Sequence, residues 1–415
     1  MKFNKWTLGL AAVGVVSLSS VAQAEEKMNS IQAAMASTTI SGYVDTSIQW
    51  NPGTQNRSGD VGYFPAYSYG GANKADGFNL NVVQLTIAKA LDESEWASGY
   101  RVDLWFGPDA NSLATSSQLH TQSGGGDADN PSEIGSDLAI RQAYVALRTP
   151  IGNGIDWKIG VFDTIIGYET HESGNNPNYT RSYGYSIEPT THTGLLGTYR
   201  FNDMFSASAG IANTKGPHIN SRAHGPDGKA ESHKTWMASL AFTAPESWGW
   251  AAGSSFYGGT VVGMDHNVSG YDYADNSTSW YVGGTLATPV TGLKVGAAWD
   301  YLELANWGGT GGTVWTAALY ASYQATEKLS LHLRGEYIED HTFGYIISNS
   351  GTDRTKIYAL TATAQYDLWK NVISRLEVRW DHSDDGKIFG RPNSSEGDPS
   401  EKNAVMVAAN FIYKF

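Results

Sequence analysis

The chain ends on Ala404-Val405-Met406-Val407-Ala408-Ala409-Asn410-Phe411-Ile412-Tyr413-Lys414-Phe415, and this stretch decides the fold class. Every second residue is apolar, which places one face of a β-strand against an apolar environment: Val405, Val407, Ala409, Phe411, Tyr413 and Phe415. A terminal apolar strand would leave an unprotected sheet edge unless the sheet closes on itself. The stretch therefore predicts a lipid-facing strand that pairs with the first strand of a transmembrane barrel. A buried strand of a soluble sandwich is the alternative.

The other end of the chain favours the barrel. Residues 1–24 have the charged start (Lys2, Lys5), the apolar run and the Ala22-Gln23-Ala24 site of a cleaved secretory signal peptide. We expect a periplasmic leader at 25–38 and the barrel at 39–415. No later segment has about 18 consecutive apolar residues, so no spanning helix is predicted. Export without such a helix, together with the C-terminal strand, predicts the outer membrane of a diderm bacterium.

Composition excludes several classes of function. Loss of the two signal lysines takes the formal charge from −13 to −15, which opposes nucleic-acid binding. The chain has no cysteine, which excludes disulfides, thiolate metal sites, iron–sulfur clusters and covalently attached haem. Its 47 glycines, 14 tryptophans and 23 tyrosines suit a sheet with one face in lipid and one in water.

From Thr39 onward the pattern has period two and predicts an all-β antiparallel barrel of sixteen strands. The first strand is predicted at 40–50 and the second at 78–91, with a bulge where the phase slips between Val82 and Val83. Short turns alternate with long loops, as expected for short periplasmic turns and long extracellular loops. The predicted long loops are 51–76, 108–136, 164–190, 215–232, 265–277, 303–312, 341–354 and 383–402.

The inward register is unusually rich in charge. Buried in a dry core, each unpaired charge would cost several kcal/mol, so a water-filled interior is predicted, although a barrel plugged by its own paired side chains is an alternative. The outward register instead carries aromatics near the strand ends, as in membrane-interface girdles. The predicted pore-lining residues are Asp45, Arg101, Asp103, Asp156, Lys158, Arg200, Lys294, Asp300, Arg334, Glu336, Arg375, Glu377, Arg379 and Asp381.

Residues 141–214 resemble the OmpL-like β-barrel porin family, which implies an outer-membrane channel for small solutes. Thr180 stands where Ser is expected. The C-terminal aromatics Phe411, Tyr413 and Phe415 also resemble the signal read by the barrel-assembly machinery, with Asn410 or Ala408 in place of the usual Gly. The motifs that carry the family resemblance are Arg141-Gln142-Ala143-Tyr144-Val145, Gly167-Tyr168-Glu169, Asn178-Tyr179-Thr180-Arg181-Ser182-Tyr183, Glu188-Pro189 and Thr191-His192-Thr193-Gly194.

The third long loop, 164–190, is the candidate constriction. The chain resembles sixteen-stranded porins in strand count, and in those the third loop folds into the barrel. A surface loop is the alternative. Glu169, His171 and Glu172 also suggest metal ligands, but the second histidine of a typical site is missing. The candidate constriction residues are Glu169, His171, Glu172, Arg181 and Glu188.

No catalytic motif is present, so we predict neither an enzyme nor a cofactor. Ser186 and His192 are near each other only in sequence, and the oxygen-rich stretch 127–130 lacks the remainder of a calcium loop. The expected partners are outer-membrane lipid, lipopolysaccharide and the barrel-assembly machinery, with a homotrimer as a candidate assembly. The rival functions are a structural or adhesive barrel with a blocked lumen, an outer-membrane hydrolase, and a sheath for a partner that brings its own haem.

Charge counts predict weak ionic selectivity. With Lys414 the predicted inner wall holds eight basic residues against seven acids, whereas the long loops 108–136 and 265–277 are acidic. Charges at the mouth act through solvent and are screened beyond about 10 Å at 0.1 M salt. We therefore expect a weak cation preference that fades as salt rises.

Overall fold

The computed structural model describes residues 37–53, 76–112, 116–117, 138–223, 233–264, 276–305, 311–342, 354–390 and 400–415. The predicted signal peptide and most of the predicted leader lie outside these residues. So do the oxygen-rich stretch 127–130 and the acidic residues of the loop 265–277. The domain boundaries at 24 and 38 therefore stay predictions.

Sixteen antiparallel strands form one closed barrel in which each strand pairs with its neighbours in sequence and β1 pairs with β16. The predicted fold class and strand number are thus confirmed. The strands are β1 Thr39–Trp50, β2 Gly77–Lys89, β3 Ser98–Phe106, β4 Leu138–Thr149, β5 Ile155–Asp163, β6 Thr191–Arg200, β7 Phe205–Ala212, β8 Thr235–Thr243, β9 Ser255–Met264, β10 Asn276–Ala287, β11 Leu293–Leu304, β12 Gly312–Gln324, β13 Leu329–Asp340, β14 Thr355–Trp369, β15 Val372–Ser383 and β16 Asn403–Lys414.

The remaining elements in the described part of the chain are short. Two helices, α1 (Asp109–Ser112) and α2 (Tyr183–Ile187), and two 3₁₀ turns (Ser173–Asn175 and Glu246–Ala251) lie in connections. Ser116–Ser117 and His218–Ile219 form a two-residue parallel pair outside the barrel sheet. No helix among the described residues is long and apolar enough to cross a membrane.

The last strand closes the barrel as its sequence predicts. The register runs from Tyr43 opposite Lys414 to Trp50 opposite Val407. Gly42 and Phe415 exchange two backbone hydrogen bonds of 3.0 Å, so the final residue is part of the ladder. A closed ladder leaves no strand edge, which explains how so apolar a strand can end the chain.

The two faces of the wall differ as the alternation requires. On β15, Leu376, Val378 and Trp380 are 57%, 46% and 40% exposed, whereas the charged residues between them are buried inside. Trp50, Trp236 and other predicted girdle aromatics are likewise exposed on the outer face. An outer face that is apolar and exposed, around an inner face that is polar and buried, is the inverse of a soluble barrel.

Three register shifts interrupt the barrel sheet, one on β2, one on β4 and one near the end of β14 between Asp367 and Trp369. A bulge on β2 was predicted between Val82 and Val83, and the structure places the shift at Asn81, so that Asn81 and Val82 both face inward. A second bulge on β4 lies at Arg141, opposite the Asp103–Leu104 step of β3, and it turns both Arg141 and Gln142 inward. A bulge places two neighbouring side chains on one face, which strict alternation cannot anticipate.

Candidate functional site

The third long loop, residues 164–190 (hereafter L3), lies inside the barrel. Tyr168 bonds Thr285 of β10 at 2.9 Å, and the Tyr179 hydroxyl donates to Ser47 of β1 at 2.9 Å. L3 therefore crosses the interior from one side of the wall to the other.

Local sequence favours this path. Ser182 caps α2, since its hydroxyl accepts from the Tyr185 backbone N–H at 3.1 Å. Gly167 has a φ of 115°, which side chains rarely tolerate, and a Cβ there would also collide with Glu188. A Cβ at Gly184 would collide with Asp300 on β11. The glycines let L3 bend sharply and lie close against the wall.

One side of the inner wall holds L3 by charge. We define the arginine arc as Arg334 and Glu336 on β13 with Arg375, Glu377, Arg379 and Asp381 on β15. All six are buried. Arg334 pairs with Glu336 at 2.7 Å and with Glu169 of L3 at 2.8 Å, and it donates to the Thr180 carbonyl at 2.8 Å. One guanidinium thus joins a wall acid, a loop acid and the loop backbone.

The other two arginines of the arc also bind loop carbonyls. Arg375 donates to Ser173 O at 2.9 Å and to Asn176 O at 3.0 Å. Arg379 donates to Arg181 O at 2.7 Å while pairing with Asp381 at 2.9 Å. These carbonyls belong to an irregular loop that has no ladder partner, so the arginines satisfy acceptors that would otherwise be buried unpaired.

Glu377 binds the same loop through its donors. Its carboxylate accepts from the backbone N–H groups of Tyr179 at 2.6 Å and Thr180 at 2.9 Å. The hydroxyls of Thr180 and Thr363 donate to it at 2.7 Å each. Four donors to one carboxylate explain how a fully buried acid stays satisfied without a direct ion pair.

The start of L3 meets a cluster that sequence reasoning missed. Arg141, turned inward by the β4 bulge, pairs with Asp163 at 3.0 Å and lies over the Trp105 ring. His171 bonds the same Asp163 at 3.0 Å. Burial, and then the Arg141 charge, lower the pKa of His171 below its ordinary value. The one available signal was the phase change between Ile140 and Val145, where two polar residues interrupt the alternation.

At the short-turn rim L3 borders a cavity of about 390 Å³. Arg101 pairs there with Asp103 at 2.8 Å and with Glu172 of L3 at 3.0 Å. Lys414 donates to the Gly174 carbonyl at 3.2 Å. The cavity lies between the tip of L3 and β1–β3, and its charges are engaged by the loop.

The opposite side of the interior meets L3 through rings and aliphatic chains. We define the tyrosine arc as Tyr144, Tyr257, Tyr281 and Tyr320, on β4, β9, β10 and β12. Tyr168 of L3 stacks on Tyr320 with ring centroids 4.1 Å apart, and Tyr257 lies 4.9 Å from Tyr281. These rings share one cluster with Phe162, Ile166, Leu196, Met237 and Val261.

The other predicted wall residues are not all equivalent. Asp45 is buried and accepts from the Asn81 and Asn410 amides at 2.8 and 2.5 Å. Asp156 pairs with Arg148 at 2.6 Å at the rim. Among the residues that the structure describes, Lys158, Arg200 and Lys294 form no direct salt bridge. Lys158 lies over the Tyr144 ring at 4.9 Å and interacts with the charge of Asp163.

The candidate loop residues separate onto different partners. Glu169 binds Arg334, Glu172 binds Arg101, and His171 binds Asp163. Arg181 donates to the His171 carbonyl at 2.8 Å. Glu188 is hydrogen-bonded to the Asp300 carboxyl, and burial followed by the Asp300 charge raises its pKa well above the ordinary value.

The alternative sites find no support in this geometry. Among the described residues no three His, Cys, Asp or Glu side chains are placed to hold a metal ion. Ser186 donates to the Ser182 carbonyl at 3.3 Å, whereas His192 contacts Thr164 at 3.2 Å, so the two do not form a nucleophile and base pair.

A closed sixteen-stranded barrel with short turns on one rim, long loops on the other and a loop folded inside defines the class of outer-membrane porins. The chain belongs to the family described as "Putative beta-barrel porin-2, OmpL-like", whose model matches residues 37–415. The family predicted from the motifs is therefore confirmed, and with it a porin-type barrel of the outer membrane.

Solved structures with the same fold are distant in sequence. An anion-selective porin from Comamonas acidovorans has a TM-score of 0.58 at 11% identity, over 91% of this chain and 99% of that one. A trimer form of OmpT from Vibrio cholerae has a TM-score of 0.55 at 12% identity, over 91% and 99%. The channel DcaP of Acinetobacter baumannii has a TM-score of 0.52 at 12% identity, over 91% and 97%. No curated protein matches the sequence significantly.

Proposed function

We propose that this porin passes small hydrophilic solutes by passive diffusion and that L3 forms its constriction. The observation that carries the proposal is that L3 lies inside a closed barrel and is bound to the wall at both ends of its path, at Thr285 and at Ser47. A loop fixed in this way narrows the lumen by a constant amount and sets a size limit. Within the part of the chain that the structure describes, no three acidic or histidine side chains are placed to hold a metal ion, and Ser186 and His192 have separate partners.

The fixed position of L3 follows from the number of buried contacts with the arginine arc. Breaking a single buried ion pair by removing one partner typically costs about 3–5 kcal/mol. Arg334 alone contacts Glu169, Thr180 and Arg181 of L3. Spontaneous release of the loop is therefore rare, and the solute has to use the part of the lumen that L3 leaves open.

We also propose the cellular setting. A cleaved signal at 1–24 and the aromatic terminus Phe411, Tyr413 and Phe415 would lead the chain through the periplasm to the assembly machinery. Lipid and lipopolysaccharide would surround the exposed apolar face, and a homotrimer is the proposed assembly because the Vibrio cholerae relative in fold is described in a trimer form. Deleting Phe415 removes one residue pair of the closing ladder, and we expect the truncated chain to be degraded in the periplasm; normal outer-membrane levels would contradict this.

A structural barrel with a blocked lumen is the second candidate, because the inward residues of the arginine arc are all buried. Conductance separates the two. The purified full chain in planar bilayers should show discrete steps, and proteoliposomes should swell in small solutes. If neither conductance steps nor swelling appears, and heat-modifiable gel mobility shows that the barrel is folded, the result would favour the blocked barrel.

Shortening L3 tests the constriction. Excision of residues 174–179 should raise the conductance, because it removes the carbonyls of Gly174, Asn176 and Asn178 that bind Lys414 and Arg375. A matched excision within the exposed turn Glu246–Ala251 should leave conductance unchanged. If the first variant fails to fold, Arg375→Gln is the milder change, because it only weakens the hydrogen bonds that hold L3 to the wall. Unchanged conductance in a folded variant of either kind would contradict the constriction.

A further inference from the structure

The surface of the lumen that a solute can touch is not the charged surface predicted from the sequence. Arg334, Glu377 and Arg379 are fully buried against L3, and each is hydrogen-bonded to it. The charges of this arc are used within the protein. They cannot also serve as a ladder of binding sites for ions.

On the other side, between β6 and β10, several half-buried inner positions toward the short turns carry small polar side chains. Their side chains are hydroxyls: Thr198 and Ser208 lie 2.9 Å apart across β6 and β7, and Ser239 and Thr285 continue the surface on β8 and β10. These groups donate and accept hydrogen bonds but carry no charge.

Three half-buried tyrosines border this hydroxyl surface: Tyr144, Tyr168 and Tyr257. The Tyr168 hydroxyl bonds Thr285, and the Tyr257 hydroxyl donates to the Gly167 carbonyl. Because both hydroxyls are engaged, the rings offer a solute their carbon surface. A Cβ at Gly296 on β11 would collide with the Tyr168 hydroxyl, so glycine at this position leaves the space that the tyrosine occupies.

We infer that Tyr144, Tyr168 and Tyr257, with the hydroxyls of β6–β10, form a binding subsite for uncharged cyclic polyhydroxylated solutes of the size of a monosaccharide. The inference rests on the proposed channel function and adds its substrate class. A pyranose ring has flat C–H faces that pack on aromatic carbon and an equator of hydroxyls that hydrogen-bond with serine and threonine. A mostly apolar surface with a few polar groups is the usual composition of a small-molecule site.

The neighbouring charges are consistent with an uncharged solute. Lys158 lies over the Tyr144 ring, and Asp156, opposite Thr198, is paired with Arg148. The acids nearest Tyr257, Glu188 and Asp300, are hydrogen-bonded to each other, and Lys294 lies at the short-turn end of β11. The weak cation preference expected from the acidic loops concerns residues outside the described part of the chain and stays a separate prediction about the mouth. Binding at the tyrosines does not depend on it.

Glucose and sorbitol provide the test, because they have nearly the same size and hydroxyl content but only glucose has a rigid ring. Proteoliposomes containing the full chain should swell in glucose about threefold faster than in sorbitol at low solute concentration. The ratio of the two rates is the readout, since it cancels differences in the amount of inserted protein. A ratio of one, with both solutes entering, would overturn the subsite and leave the channel function intact.

A matched pair of tyrosine variants locates the effect. Tyr257→Leu removes the ring, and the glucose-to-sorbitol ratio should fall to about one. Tyr43→Leu makes the same change at a buried inner tyrosine on β1, across the barrel, and should keep the wild-type ratio. If Tyr257→Leu does not fold, Tyr144→Leu replaces it, because the one contact described for the Tyr144 side chain beyond packing is with Lys158. An unchanged ratio in the folded variant would exclude the tyrosines as the site.

The remaining outcome concerns the proposed function itself. If neither solute enters and no ion conductance appears, the channel proposal fails, and the subsite fails with it. If ions pass while both solutes are excluded, the channel stands and the subsite is overturned. Each result therefore decides between the two statements.

Discussion

The arginine arc and the tyrosine arc face the same loop and hold it in different ways. On β13 and β15 the contacts are directional: arginines bind loop carbonyls, and Glu377 binds the loop N–H groups of Tyr179 and Thr180. On β9–β12 ring stacking and aliphatic packing, as between Tyr168 and Tyr320, accompany the hydroxyl hydrogen bonds at Thr285 and Gly167. Directional buried bonds fix a loop in one place, whereas packing tolerates small displacements. The charged side therefore anchors L3, and the tyrosine side is the proposed path of the solute.

The largest effect should come from cutting the charged anchor. Arg334→Met leaves Glu169 without its guanidinium and Glu336 with only the more distant Arg379, and we expect the free energy of unfolding to fall by about 3–5 kcal/mol. Conductance should rise, because the loop also loses its bond at the Thr180 carbonyl. Denaturant unfolding from lipid and single-channel recording give the two quantities.

The control for this variant is another wall arginine. Arg200→Met changes an exposed residue at the short-turn rim and should alter stability by less than about 0.5 kcal/mol. Similar losses at both positions would mean that the arc does not anchor L3.

The two faces of the wall supply the next largest difference. Val378→Arg places a charge on the outer face in mid-strand and should cost about 2–4 kcal/mol in lipid. Ser239→Arg, inward and half-buried on β8, should cost much less because the side chain can reach water. Glu377 also faces inward, but it is buried against L3, so arginine there would be severe as well.

Cysteine labelling compares the arcs directly, since the natural chain has no cysteine. Ser239→Cys should react with a charged, membrane-impermeant thiol reagent, and conductance should drop as the lumen narrows. Thr361→Cys, fully buried beside Arg334, should stay unreactive. Equal labelling of the two cysteine variants would contradict the view that L3 covers the arginine arc and leaves the opposite side of the lumen open to solvent.

The smallest expected effect is a pH dependence of L3. Burial and Asp300 raise the pKa of Glu188, so its contribution to stability is present at low pH and is lost as pH rises through the raised pKa. Glu169 also faces this carboxyl and disfavours its charge. Conductance of the wild type should therefore increase moderately as the pH is raised from 5 to 9, and in Glu188→Gln it should stay level. A wild type insensitive to pH would contradict this.

Much of the barrel could be predicted because period-two alternation is a local property. The pattern predicts an outer face at Leu376, Val378 and Trp380 whatever lies opposite them, and it predicts an inner face at the charged residues between them. The same rule failed at Val82 and Arg141, because a bulge inserts one residue and nothing in the alternation says which neighbour turns inward. Arg141 was missed as an interior residue for that reason.

The partners of the interior charges could not be predicted. Glu169 and Arg334 form an ion pair although they lie 165 positions apart in the sequence. No local pattern links them. From the count of wall charges we predicted a solvent-filled lumen with nearly equal numbers of basic and acidic residues. In the structure, the charged side chains of the arginine arc are instead bonded to L3. Whether a charge lines a channel or anchors a loop depends on what lies across the barrel.

The sequence by itself determined the barrel, its sixteen strands, the outward and inward faces and the family, because each follows from alternation, turn spacing and short motifs along the chain. Only the tertiary structure decided that L3 lies inside, that β13 and β15 hold it, and that the tyrosine arc meets it through rings and hydroxyls. The physical reason is that hydrogen bonds and ion pairs within the lumen join residues distant in sequence, and they form only once closure of the barrel has brought opposite walls within reach of one loop.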